Sequence, residues 1–102
     1  MTTSFPKEKL KVVLLEGIHQ SAADTFKSAG YTNLVYLPSA LPQKELINTI
    51  KDAHMVGVRS RTHLQGPVLE AAEKLMAIGC FCIGTNQVDL ETTKRRGIPT
   101  FN

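Results

Sequence analysis

His54-Met-Val-Gly-Val-Arg-Ser-Arg-Thr-His63 passes directly from an apolar, valine-rich run into a basic loop. An apolar run without alternation reads as a strand covered on both faces, the habit of parallel sheets. Arg59, Ser60 and Arg61 then stand at the carboxyl end of a central strand, where open parallel sheets place their ligands. Two forked guanidiniums and a hydroxyl suit a small anion carrying carboxylate or phosphate. The same three residues also read as a solvated basic loop, and the flanking sequence has to weigh the two.

Upstream, Lys11-Val-Val-Leu-Leu-Glu16 is a second buried-strand run, and Gly17, Ile18 and His19 turn the chain. Ser21 and Asp24 have the spacing of a helix amino-terminal capping pair. Ala22, Phe26 and Ala29 recur at helical intervals until Gly30 ends the helix. Asn33 to Leu37 is another strand. Pro42 is placed as a first helical residue, ahead of the apolar stripe Leu46, Ile47 and Ile50.

Downstream of the basic loop, Gly66-Pro67 opens a helix whose apolar face is Val68, Leu69, Ala71, Ala72 and Leu75. Met76 to Ile83 is a strand and Gly84-Thr-Asn-Gln87 a loop. Asp89 caps a short basic helix through Arg96, stopped by Gly97, and Ile98-Pro-Thr-Phe101 is a last strand held to an edge by Pro99. Strands alternating with helices through short connections predict a flavodoxin-like α/β fold, a five-stranded parallel sheet with helices on both faces. Right-handed crossovers favour strand order 2-1-3-4-5, with the switch point between strands one and three. The loops 16–19 and 59–61 meet there, flanked by 84–86, so topology and chemistry select the same place.

The 102 residues make room for one domain. Residues 1–10 are a polar lead-in, and 11–102 form one unit. A 42% hydrophobic and 21% charged composition is that of an ordinary globule. No run is long and apolar enough for a membrane span, and Met1 to Lys9 lacks the apolar centre of a secretory signal. The net charge of +3 comes from scattered cations without an aromatic platform, which argues against nucleic acid. Cys80 and Cys82 project to one strand face and read as two buried thiols; the chain shows no metal-ligand spacing and too few cysteines for a disulfide framework.

Several occupants of this fold compete. A phosphoacceptor receiver domain needs an aspartate after strand three, where Arg59 stands, and fails on charge. A flavin module needs a donor-rich loop after strand one, but Glu16 and His19 bracket a single glycine. A substrate-binding domain for an anionic metabolite fits both arginines. A stand-alone interaction or small-anion-binding module without catalysis is the alternative.

Lys11-Val-Val-Leu-Leu-Glu-Gly-Ile-His19, Val58-Arg-Ser-Arg-Thr-His-Leu64, Ala71-Ala-Glu-Lys-Leu75 and Ile78-Gly-Cys-Phe-Cys-Ile-Gly-Thr-Asn-Gln-Val-Asp89 resemble the amino-terminal part of the D-2-hydroxyacid dehydrogenases. The likeness is to the bacterial phosphoglycerate-oxidising subgroup and runs from about Lys11 to Asn102. Cys80 and Cys82 stand where most of the family carries an arginine and a glycine, which singles out that subgroup. The resemblance implies NAD-dependent oxidation of D-3-phosphoglycerate to 3-phosphohydroxypyruvate, the entry step of serine synthesis, in a cytoplasmic homo-oligomer, a tetramer regulated by serine. It implies substrate binding by Arg59, Ser60 and Arg61, with backbone amides at Cys82 and Ile83 against the substrate carboxylate. The family's glycine-rich NAD fingerprint, its catalytic arginine and its histidine–glutamate pair are not matched here. The resemblance therefore implies that this chain is the amino-terminal part of the substrate-binding domain, without catalytic residues, NAD contacts or a metal of its own, and that the NAD-binding and regulatory domains lie outside it.

His19, His54 and His63 lack matched acidic partners, so structural roles are expected for all three, with His19 and His63 nearest a ligand. Thr85 and Asn86 read equally as substrate contacts or as loop-satisfying residues. Lys94, Arg95 and Arg96 are explained by the carbonyl end of a helix dipole. Finally, the predicted topology leaves one face of strands three to five uncovered, presenting either Ala77, Gly79 and Phe81 or Ile78, Cys80 and Cys82.

Overall fold

In the computed structural model, which describes residues 9–81 and 88–101, strands and helices alternate throughout. The first half holds β1 (Val12–Leu14), α1 (Gln20–Ser28), β2 (Leu34–Tyr36) and α2 (Gln43–Ile50). The second holds β3 (Met55–Val58), α3 (Pro67–Ala71), β4 (Ala77–Cys80), α4 (Leu90–Arg95) and β5 (Thr100–Phe101). All pairings are parallel in the order β2-β1-β3-β4-β5, the arrangement expected from right-handed crossovers. The register sets Val13 beside Val56, and Val56 beside Ile78.

The pleat divides the apolar residues between two layers. Val13, Leu15, Val56, Val58, Ile78 and Cys80 face Leu46 and Ile50 of α2 and Val68 and Leu69 of α3. Val12 and Leu14 face Ile18, Ala23 and Phe26 on the α1 side. Leu10, just ahead of β1, is already buried.

Local chemistry moves several boundaries away from the sequence expectation. The cap of α1 is His19 rather than Ser21, because the His19 Nδ1 accepts the Ser21 amide at 3.1 Å and starts the helix earlier. Asp24 instead receives the Gln20 side-chain amide at 3.1 Å. Pro42 is the N-cap of α2, with φ −56° and ψ 153°, so its extended ψ keeps it outside the helix. The third helix stops at Ala71; Ala72 and Leu75 are buried beyond its end rather than on its face. The Arg96 guanidinium reaches across from the end of α4 and donates to Leu69 O and Ala72 O, both at 2.7 Å. It thus supplies partners that another turn of helix would have provided. Arg96 is a specific clamp between two helices, more than the dipole partner expected. β4 and β5 are shorter than predicted, and Pro99, lacking an N–H, contributes its carbonyl to Ile78 N at 3.0 Å.

The uncovered face is the one bearing Ala77, Gly79 and Phe81; Ile78 and Cys80 are buried, and Cys82 lies outside the described residues. Phe81 is 44% and Phe101 62% exposed. A groove of about 240 Å³ runs over Met55, Gly57, Ala77 and Gly79 beside these two rings. A Cβ on Gly57 would come within 2.7 Å of Leu14 Cδ2 and 3.0 Å of Phe81 Cε1, so only glycine lets the strands and the ring approach this closely.

Candidate functional site

The connections following β1, β2 and β3 gather at one end of the sheet, on the two sides of the switch point between β1 and β3. After β1 the chain reverses through two consecutive left-handed residues, Glu16 at φ 63° and Gly17 at φ 62°. Gly17 is required there: a Cβ would lie 3.1 Å from Pro38 O, and φ is already positive. For Glu16 the same conformation costs about 1–2 kcal/mol. The turn is pinned to the β2–α2 connection, with Gly17 N donating to Leu37 O at 3.0 Å and Glu16 N to Ser39 O at 3.3 Å.

This backbone throws the Glu16 side chain over the end of β3. Its Oε2 accepts from Arg59 N at 2.8 Å and Thr62 N at 3.0 Å, and its Oε1 accepts from Arg61 N at 2.9 Å. Burial alone would raise its pKa, but the Arg61 amide, the Thr62 side chain and the Arg59 and Thr62 amides together outweigh that and hold it below the ordinary value. The carboxylate is a fixed anion facing the backbone of the basic loop.

Above it opens a cleft of about 350 Å³ lined by Glu16, Pro38, Ser39, Ala40, Arg59, Ser60 and Arg61. Arg59, Ser60 and Arg61, expected at the switch point, are all there and all exposed. Cys82 and Ile83 lie outside the described residues, as do Thr85 and Asn86. One wall of the cleft and the bonding of Glu16 escaped the sequence reading. Pro38, Ser39 and Ala40 form a wall that strand order alone could have suggested, since β2 is the neighbour of β1. Glu16 was expected in the loop that meets 59–61, but nothing local marked its carboxylate as the acceptor for that loop's amides.

Two of the three histidines make structural hydrogen bonds. His19 caps α1, and the His54 Nδ1 accepts from Lys11 N at 3.0 Å, joining the start of β3 to β1. His63 lies beyond Arg61 and Thr62, on a neighbouring shallow cleft with Leu41 and Gln43. Among the described residues no cluster of three or more His, Cys, Asp or Glu side chains could hold a metal ion, and no helix is long and apolar enough to cross a membrane.

Chemically the cleft can grip and orient a small anion; among the described residues it brings together no acid–base pair. Nor does the turn into α1 fit a dinucleotide. A pyrophosphate needs open amides at a helix start behind closely spaced glycines. Here the turn into α1 holds one glycine and buried Ile18, and His19 already occupies the Ser21 amide.

The sequence profile of the D-isomer specific 2-hydroxyacid dehydrogenase catalytic domain matches residues 12–102. D-3-phosphoglycerate dehydrogenase of Haemophilus influenzae is 61% identical over 99 residues, which are 97% of this chain and 24% of that protein. The Escherichia coli K12 protein of the same name is 56% identical over the same shares. The chain thus spans about a quarter of the length of these relatives. Among solved structures, the PH0520 protein of Pyrococcus horikoshii superposes with a TM-score of 0.80 at 28% identity, over 92% of this chain and 28% of that one. The NAD+-bound 3-phosphoglycerate dehydrogenase of Entamoeba histolytica shares the fold, with a TM-score of 0.73 at 24% identity over 87% and 31% of the two chains.

Proposed function

We propose, given that this chain belongs to the D-isomer specific 2-hydroxyacid dehydrogenase family, that it is the amino-terminal part of the substrate-binding domain of an NAD-dependent D-3-phosphoglycerate dehydrogenase. The observation that carries the reading is the convergence of Arg59, Ser60 and Arg61 on a solvent-open cleft at the switch point. Two guanidiniums and a hydroxyl match a substrate that bears both a carboxylate and a phosphate. The backbone at Cys82 and Ile83 is proposed to meet the carboxylate end.

In this reading the chain binds and orients D-3-phosphoglycerate, and its own residues move no proton. NAD would supply the hydride acceptor for oxidation of the hydroxyl carbon to the ketone of 3-phosphohydroxypyruvate, the hydroxyl proton leaving to a base outside these residues. Its binding groups and the acid–base pair belong to domains outside these residues. The parent enzyme is proposed to be a cytoplasmic homo-oligomer, a tetramer, serving serine synthesis.

The test is initial-rate NADH production by the full-length enzyme with D-3-phosphoglycerate, set against unphosphorylated D-2-hydroxy acids. The phosphorylated substrate should be preferred through kcat/KM, and preference for an unphosphorylated acid would defeat the assignment. The 102-residue chain alone should give no saturable NADH fluorescence at micromolar concentration.

A further inference from the structure

Three amides of the 59–62 loop point at one carboxylate, with Arg59 N, Arg61 N and Thr62 N lying 2.8, 2.9 and 3.0 Å from Glu16 oxygens. Convergent amides of this kind form a concavity that binds anions. Left open, it would compete with the arginine side chains for whichever anionic group the substrate presents. Glu16 fills it from within the chain. Its own backbone is held for the purpose, in a left-handed conformation tied to Ser39 O and, through Gly17, to Leu37 O.

We propose that Glu16 is a positioning residue for substrate: its carboxylate occupies the amide concavity of the 59–62 loop, fixes that loop beside the cleft, and leaves side chains rather than backbone to meet the substrate anion. This rests on the reading of the cleft as the substrate site. The chemistry admits no close substitute. Glutamine keeps the length but replaces one oxygen by an NH2 group, which turns a donor toward at least one N–H. Aspartate keeps the charge but falls one methylene short of the loop. Alanine empties the concavity, which a small carboxylate from solution can then enter.

The experiment is steady-state kinetics of the full-length enzyme carrying Glu16→Gln, Glu16→Asp and Glu16→Ala, with thermal unfolding of each. Glu16→Gln should raise KM for D-3-phosphoglycerate ~10-fold or more while leaving KM for NAD and kcat within ~3-fold. In Glu16→Ala, added acetate should lower the raised KM saturably. In the parent enzyme acetate should only compete with substrate. A purely structural residue would change kcat, both KM values and Tm together and show no acetate rescue; that pattern overturns the proposal. So does a Glu16→Gln enzyme with an unchanged KM for substrate. Arg59→Ala and Arg61→Ala separate the two levels. If they raise KM for substrate and Glu16→Gln does not, only the role of Glu16 falls. If none of the three has an effect, the cleft is not the substrate site and both readings fall.

Discussion

Removing either loop arginine should weaken substrate binding while leaving the loop amides on Glu16. In Arg59→Ala and Arg61→Ala the backbone N–H groups that donate to Glu16 remain. A charge-assisted contact to phosphate or carboxylate is worth about 1.5–3 kcal/mol. Both side chains are exposed on a cleft open to solvent, which places each at the lower end of that range. At 1.4 kcal/mol per decade, KM for D-3-phosphoglycerate should rise roughly 10- to 30-fold in each variant. The lysine replacements keep the charge and lose the fork, so they should show a smaller rise. If both arginines hold the same anionic group, the double variant should lose less than the product of the single effects. Steady-state kinetics at saturating NAD, repeated at low and high salt, reads all of this, since exposed contacts weaken as salt rises. Parental KM and kcat in both alanine variants would refute the reasoning and reduce the loop to a solvated surface.

Arg96→Met should destabilise the 102-residue chain by about 2 kcal/mol, through the loss of two charge-assisted bonds to Leu69 O and Ala72 O, and lower Tm by about 10 °C. Arg96→Lys should lie between, and unfolding of Arg96→Met within about 0.5 kcal/mol of the parent would contradict the clamp. Acid should unfold the chain progressively. Glu16, held by loop amides against its burial, Asp52, held by the Lys11 ammonium, and Asp89, held by the Thr92 side chain and amide, all have lowered pKa values when folded. Their stabilisation is therefore complete above roughly pH 4.5 and lost as pH falls through the lowered values. An unfolding free energy that does not fall from pH 5 to pH 2 would exclude it. The 102-residue chain should bind a hydrophobic dye through the groove beside Phe81 and Phe101, and Phe81→Ser with Phe101→Ser should abolish the signal. A dye-silent parent chain would mean the groove is closed in solution.

The architecture was readable from local pattern because each element satisfies a short-range rule. The unbroken apolar runs around Val13, Val56 and Ile78 read as strands of a parallel sheet, buried on both faces in β1 and on one face in β4, and Gly30, Gly66 and Gly97 punctuate the helices between them. Asp89 caps α4 as expected, accepting from the Thr92 amide at 3.1 Å. Once the elements are known, crossover handedness leaves few strand orders, and the switch point follows. The same rules place Arg59, Ser60 and Arg61, which follow β3, at that point.

What stayed hidden depends on groups far apart in sequence or on backbone states that residue types do not advertise. A glutamate at φ 63° is invisible to pattern reading, because its cost is offset only by amides 43 to 46 positions away. The capping choice between His19 and Ser21 turned on an imidazole nitrogen within reach of an amide. The early end of α3 turned on a guanidinium 24 to 27 residues downstream. The pleat fixed Ala77, Gly79 and Phe81 as alternates of Ile78 and Cys80, yet only the packing of α1 over Val12 and Leu14, short of β4, decided which set met solvent. Periodicity records which residues share a face; what covers that face is set by contacts that form only when the whole sheet is assembled.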